Sequence, residues 1–223
     1  YRDGVPIEYD SGDYPKALER ALDELGGLKS IRKRQKDALG QGCYIGLGLG
    51  CYVEGTGVGP FEGATVKIDA TGKIVVATGA CPQGQGHETV FAQVTADLWK
   101  VPIEDVYVTV ADTAHVTMGY GTLASRSTVT ASGAIQLASD QIKEKAFSIA
   151  SDILEAGEQD LELRDSGVGV KGVPGMHISF RDIATAARPG WGHKRPEGID
   201  AGLEATSYYE PPTVTWAYAS NAA

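Results

Sequence analysis

The sequence predicts an α+β fold, with mixed or antiparallel sheets carrying packed helices. Three observations predict it. Residues 64–69 and 73–77 are strand-like runs on either side of Ala70-Thr71-Gly72, a hairpin signal with a three- or four-residue loop. Residues 106–110 read Val-Tyr-Val-Thr-Val, a further strand. Two segments repeat apolar residues at helical spacing: first Val90, Phe91, Val94 and Leu98, later Ile135, Ile142, Ala146, Ile149 and Ile153.

The remaining elements follow in chain order. Residues 1–12 read as a connector with turn residues Asp10, Ser11 and Gly12. Asp13 or Ser11 caps a helix over residues 15–25, whose stripe is Leu18, Ala21, Leu22 and Leu25. Gly26-Gly27 ends it. A second helix is expected over residues 30–39, with its basic run from Arg32 to Lys36 on a solvated face. Residues 44–54 alternate Gly46, Gly48 and Gly50 with bulkier residues and read as a glycine-bearing strand. Residues 55–63 are then a loop. The long helix is expected over residues 127–155, with Ser125 or Ser127 as its cap and Gly133 marking a close approach to a neighbour. A weaker hairpin is expected at residues 161–163 and 167–170, and a short helix at residues 179–187. Residues 189–198 form an exposed loop, and residues 203–209 and 213–218 are strand-like.

Composition excludes several function classes. The 223 residues are 42% hydrophobic, which supports a packed core rather than disorder. The net charge of −9 argues against nucleic acid or an anionic membrane as a partner. No apolar run approaches the roughly 18 residues that span a bilayer. The opening Tyr1-Arg2-Asp3-Gly4 is polar, unlike a signal peptide, and the absence of an initial Met implies a missing natural N-terminus. Cys43, Cys51 and Cys81 form no Cys-x-x-Cys pair, so zinc and iron–sulfur ligation are not indicated. Buried free thiols in a reducing, cytoplasmic compartment are expected. His115, His177 and His193 are isolated, and a Gly-x-Ser-x-Gly nucleophile motif is absent.

The organising feature is a duplicated junction. Twice a strand leads through a loop of small and polar residues into a helix. The first loop, Ala80-Cys81-Pro82-Gln83-Gly84-Gln85-Gly86-His87-Glu88-Thr89, hands over to the helix carrying Phe91. Glycine lets backbone approach a ligand closely, and free N–H groups at a helix start favour an anion. The loop is either a site for a phosphate-bearing cofactor or an ordinary glycine turn. The second loop offers Thr122, Ser125, Arg126 and Ser127. A cation at a helix N-terminus opposes the dipole. Either an anionic ligand or a salt bridge to one of the carboxylates accounts for Arg126. Asp112, at the start of this loop, either steers hydroxyls or makes an Asx-turn.

At these loops the sequence resembles the large, molybdenum-binding subunit of the xanthine oxidase family, in the manner of its carbon monoxide dehydrogenase and aldehyde oxidase branch. The residues that carry the resemblance are Gly84-Gln85-Gly86-His87-Glu88-Thr89, then Asp112-Thr113, then Gly119-x-Gly121-Thr122-x-Ala124-Ser125-Arg126-Ser127, with Gly133 beyond. Ala111 departs from the pattern by standing where glycine is common, and Ala114-His115 replaces a more usual acidic residue.

The resemblance implies that residues 13–223 are part of a molybdopterin-cofactor-binding domain. It implies molybdenum and a molybdopterin cofactor in its cytosine dinucleotide form. Gly84, Gln85, Gly86, His87, Glu88, Thr89, Thr122, Ala124, Ser125, Arg126 and Ser127 would bind it, and no residue of this chain would ligate the metal directly. Gln85 would use its side-chain amide near the molybdenum–dithiolene or pterin end. The amides of Gly86, His87 and Ser125 to Ser127 would hold pterin and pyrophosphate groups. The implied activity is hydroxylation of an aldehyde, heteroaromatic or similar small substrate with oxygen from water. Electrons would leave through iron–sulfur and flavin subunits or domains. The family's catalytic glutamate is expected outside this chain, which is then an internal piece, a cleaved fragment or one polypeptide of a split large subunit, and inactive alone. The alternative is a non-catalytic assembly or scaffold fragment with an empty cofactor site.

Overall fold

A computed structural model describes residues 4, 6–9, 12–188, 195–216 and 220–222. In chain order its elements begin with α1 (Tyr14–Glu24), α2 (Gly27–Leu39), β1 (Cys51–Val53), β2 (Glu62–Ile68), β3 (Ile74–Thr78) and α3 (His87–Trp99). They continue with β4 (Val106–Val110), α4 (Ser127–Leu154), β5 (Leu161–Arg164), β6 (Gly167–Val170), β7 (His177–Ser179), α5 (Phe180–Ala186), β8 (Glu204–Tyr209) and β9 (Ser220–Ala222). Helices with mixed and antiparallel sheets are the α+β class expected. The chain divides into two compact units, residues 1–56 with 214–223, and residues 57–213.

In the first unit, the Asp13 side chain accepts the Lys16 N–H at 3.1 Å and caps α1. Pro15 sits at the helix start, where its missing N–H costs nothing. Gly26 and Gly27, at φ 82° and 76°, make the left-handed turn into α2. The basic run of α2 is exposed, while Ile31 is buried. β1 pairs antiparallel with β9. Two expectations change here. Only Cys51–Val53 of the stretch expected as a strand pairs; residues 44–50 carry no regular structure, and Tyr44 and Leu49 are exposed. Of the run at residues 213–218, Thr215 makes an isolated bridge with Thr56 and no strand forms among the described residues. Asp10, Ser11 and His193 lie outside the described residues.

The second unit is built on a four-stranded sheet of order β4-β3-β2-β8. β2 pairs antiparallel with β3 and with β8, whereas β3 and β4 are parallel, from Ile74↔Val106 to Thr78↔Val110. Side chains alternate across a strand. On β2, Ala64, Val66 and Ile68 are buried while Lys67 is exposed. α4 packs over β2 and β8. Its 28 residues span about 42 Å. Its buried stripe mixes Ala131, Ala134, Ala138 and Ala146 with Ile135, Ile142 and Ile149. The alanines let the helix lie close to the sheet, and the isoleucines fill the space between. Removing one such isoleucine to alanine costs about 2–5 kcal/mol. Gly133 allows the closest approach, since a Cβ there would lie 2.4 Å from the Tyr209 ring.

α3 crosses from β3 to β4 and packs on β4 and α4. Trp99 at its end is fully buried, donates from Nε1 to Ser139 Oγ at 3.0 Å, and meets the edge of Phe180 at 5.4 Å. The hairpin expected at residues 161–170 is β5–β6, extended by β7 into a three-stranded antiparallel sheet. Ser179 caps α5 through the Asp182 N–H.

Two further expectations are corrected. The N-cap position of α4 is Arg126, and neither Ser125 nor Ser127 caps it through a side chain. Cys43, Cys51 and Cys81 are free but exposed: Cys43 and Cys81 lie in loops without regular structure, and Cys51 opens the two-stranded β1–β9 pair. Among the described residues, no helix is long and apolar enough to cross a membrane.

Candidate functional site

The parallel pairing of β3 and β4 decides where the two loops go. Both strands end on the same edge of the sheet, so residues 79–86 and 111–126 leave side by side. Ala111 N–H donates to Thr78 O at 2.9 Å and keeps the second loop beside the first. Gly79 and Gly119 then meet back to back. A Cβ on Gly79 would fall 2.6 Å from Gly119 Cα and 2.8 Å from Glu62 Oε1, and the converse holds for Gly119. The loops therefore touch at their roots, with room for hydrogen atoms only.

The first loop ends in Gly86, the N-cap of α3, at φ 71° and ψ 41°. Gly84 stands at φ 103°, a region that side chains rarely enter. A Cβ on Gly84, Gly86 or Gly121 would meet nothing within 4 Å, so the backbone of both loops is approachable. Gln85 is exposed; its Oε1 accepts the Gln83 N–H at 2.5 Å, and its Nε2 has no partner among the described residues. His87, Glu88 and Thr89 form the first turn of α3, which has no side-chain cap. Glu88 and Thr89 are exposed. His87 is 3% exposed, its ring lies 5.3 Å from that of Phe91, and its Nδ1 is buried without a partner among the described residues. A buried polar atom left unpaired is costly, and such an orphan at a helix start marks a place for a ligand group.

The second loop is held by side chains. Asp112 makes the Asx-turn, accepting the Ala114 N–H at 2.9 Å, and its exposed carboxylate lies 3.8 Å from His115. Ala124 and Ser125 are exposed and consecutive, at φ 43° and 50°. Ala111, where the family pattern favours glycine, also stands at φ 55°. Thr122 is half-buried and accepts from Ser127 Oγ at 3.0 Å.

Of the two alternatives for Arg126, the salt bridge is what the structure shows. Arg126 and Glu62 are both fully buried and paired at 3.1 Å. Arg126 Nε donates to Val58 O at 2.9 Å, and its terminal nitrogens donate to the carbonyls of Phe61 and Gly121. Its own backbone N–H donates to Leu123 O at 3.2 Å. Its guanidinium also stacks on Tyr120, 4.9 Å from the ring centre. Glu62 accepts from Gly63 N at 3.1 Å, Tyr120 N at 3.3 Å and Gly121 N at 3.0 Å. Sequence reasoning missed Glu62. It lies 64 positions before Arg126, and its only sign was a carboxylate ahead of the alternating Ala64, Val66 and Ile68.

The resulting surface presents two uncapped helix starts, approachable backbone and no net side-chain charge at the α4 junction. That donor set suits an anionic ligand held by amides. Among the described residues, no cluster of three or more His, Cys, Asp or Glu could hold a metal ion by itself.

Comparison with known proteins agrees with this class of site. The profile of the molybdopterin cofactor-binding domain family matches residues 21–223, and the chain belongs to that family. The carbon monoxide dehydrogenase large chain of Afipia carboxidovorans is 35% identical over 95% of this chain and 28% of its own length. The nicotine 6-hydroxylase large subunit of Paenarthrobacter nicotinovorans is 32% identical over 92% of this chain and 26% of its own. The crystal structure of Cu,Mo-CO dehydrogenase superposes with a TM-score of 0.67 at 35% identity, covering 96% of this chain and 29% of that one. The chain thus spans between a quarter and three tenths of the length of these relatives. The resemblance to large molybdenum subunits of the xanthine oxidase family, drawn above from the two loops, extends over nearly all of this chain.

Proposed function

We propose that this chain is the part of a molybdenum hydroxylase that grips the molybdopterin cofactor between its two helix starts. The observation that carries the reading is the back-to-back contact of Gly79 and Gly119, which puts both junctions on one edge of the sheet. The span assigned to the cofactor-binding domain is residues 13–223. When bound, the cofactor supplies the two-electron oxidation that places oxygen from water on an electron-poor carbon of an aldehyde, heteroaromatic or similar small substrate.

The chain's own residues bind and orient. Gln85 donates from its unpaired amide toward the molybdenum–dithiolene or pterin end. The amides of Gly86, His87, Glu88 and Thr89 point their N–H groups at anionic oxygens, aided by the α3 dipole. His87 Nδ1 gains a partner it lacks among the described residues. The carboxylate of Glu88 would repel a phosphate, so Glu88 contributes through its backbone. Gly84 and Gly86 keep side chains out of the way. At the other junction, Thr122, Ala124, Ser125 and Ser127 would hold the ligand, Ser127 through its backbone N–H because its buried hydroxyl donates to Thr122, and Arg126 acts by holding them. The cytosine dinucleotide form fits a site with two separate anion-binding turns. The implied partners are the rest of a large subunit and iron–sulfur and flavin carriers, in a cytoplasmic enzyme.

The test is to express the subunit with its flanking segments in a host that makes molybdenum cofactor. Molybdenum with a releasable pterin nucleotide, near one per subunit, is expected. A folded, metal-free subunit from the same host would instead support a scaffold role. The isolated 223-residue chain is expected to give no turnover of aldehydes or purines with a dye acceptor.

A further inference from the structure

We infer that the buried Glu62–Arg126 pair is a positioning device that sets the second loop for its ligand. The inference rests on the cofactor reading above and goes beyond it, because neither side chain touches the ligand itself. The loop has an unusual demand. Ala124 and Ser125 must both hold left-handed backbone immediately before a helix, at φ 43° and 50°. Non-glycine residues occupy that region only when the surroundings over-determine it. Arg126 and Glu62 supply that over-determination. Arg126 ties the residue after the strained pair to the carbonyls of Val58, Phe61 and Gly121. Glu62 takes the N–H groups of Tyr120 and Gly121 from the middle of the same loop. One carboxylate and one guanidinium thus hold the middle and the end of the loop against the start of β2.

Charge makes the arrangement selective. Arg126 alone at the α4 N-terminus would oppose the dipole, and a buried cation without a partner is strongly disfavoured. Glu62 cancels it at 3.1 Å, with both groups fully buried. The ligand therefore meets amide dipoles rather than a net side-chain charge, and its affinity depends on where the loop is held. Glu62 also reaches the contact between the loops, since its Oε1 lies 2.8 Å from where a Cβ on Gly79 or Gly119 would stand. Moving this carboxylate shifts both junctions at once.

The experiment uses the complete enzyme from a cofactor-competent host, carrying Glu62→Gln or, separately, Gly119→Ala. Glu62→Gln keeps the shape and removes the countercharge. Gly119→Ala keeps both charges but presses a methyl group against Gly79 Cα and the Glu62 carboxylate, so it displaces the pair without removing its charge. Three readouts are taken: molybdenum and pterin content, the rate of pterin release, and the Mo(V) electron-paramagnetic signal. Thermal unfolding of the cofactor-free protein reports on folding alone. At least tenfold faster release is expected in each folded variant, with an altered Mo(V) signal. Release and signal equal to wild type in either folded variant would overturn the proposal while the cofactor reading stands. If Glu62→Gln does not fold, Gly119→Ala decides alone. A wild-type enzyme without molybdenum or pterin would sink the cofactor reading and this inference together.

Discussion

The two loops that flank the shared edge reach the same end by opposite means. The first is glycine-shaped: Gly84 and Gly86 adopt positive φ at no steric cost, and no side chain caps α3. The second puts Ala124 and Ser125 where glycine would be expected, and a buried ion pair holds it there. One loop draws its shape from its own residues. The other borrows its shape from residues 58–62, at the start of the sheet. A helix start can be made ready for an anion either way; both loops meet at Gly79 and Gly119, but only the second loop's left-handed pair is held by a distant ion pair.

The strongest challenge to that contrast is Glu62→Ala, which leaves Arg126 buried and unpaired. A loss of about 3–5 kcal/mol in unfolding free energy is expected by chemical denaturation. A loss below about 1 kcal/mol would show that the second loop supports itself. Next is Gly86→Ala. Nothing lies within 4 Å of the added methyl, so only the left-handed backbone opposes it. A loss of about 1–2 kcal/mol is expected from the same titration. Ala124→Gly should act in the opposite direction and stabilise by up to about 1 kcal/mol, because strain is relieved against a small gain in unfolded-state entropy. Destabilisation there would mean that the second loop carries no strain.

The smallest effect is expected at the far end of β3. Burial pushes the Asp69 carboxyl up, but hydrogen bonds from the Thr71 hydroxyl and the Thr71 and Lys73 amides outweigh it and leave the pKa lowered. A folded pKa below the unfolded value adds stability above the unfolded pKa, lost as pH falls through the folded one. Asp69→Asn should therefore flatten the acid limb of the stability–pH curve slightly and leave cofactor content unchanged. A change in cofactor content would mean that the hairpin end of the sheet is coupled to the loops.

Much of the site was legible because its signals are local. The first loop's glycines sit beside the helix they start, and the Gly133 prediction needed only the cost of glycine in a helix. Asp13 capping α1 and the hairpin at residues 69–73 rest on neighbouring residues too. What was not legible depends on distant partners. Whether Arg126 faced a ligand or a carboxylate could not be read without knowing that Glu62 lies beneath it. The exposed cysteines misled for the same reason: a thiol is buried only if another element covers it, and spacing does not say which.

By itself the sequence determined the element types, the two strand-to-helix junctions and the family resemblance, because periodicity, caps and turn residues act over a few neighbouring positions. Tertiary structure alone decided that β3 and β4 run parallel side by side, that Gly79 meets Gly119, and that Glu62 neutralises Arg126. Each of these depends on desolvation and close packing between residues far apart in the chain, and those free energies exist only once the sheet has formed.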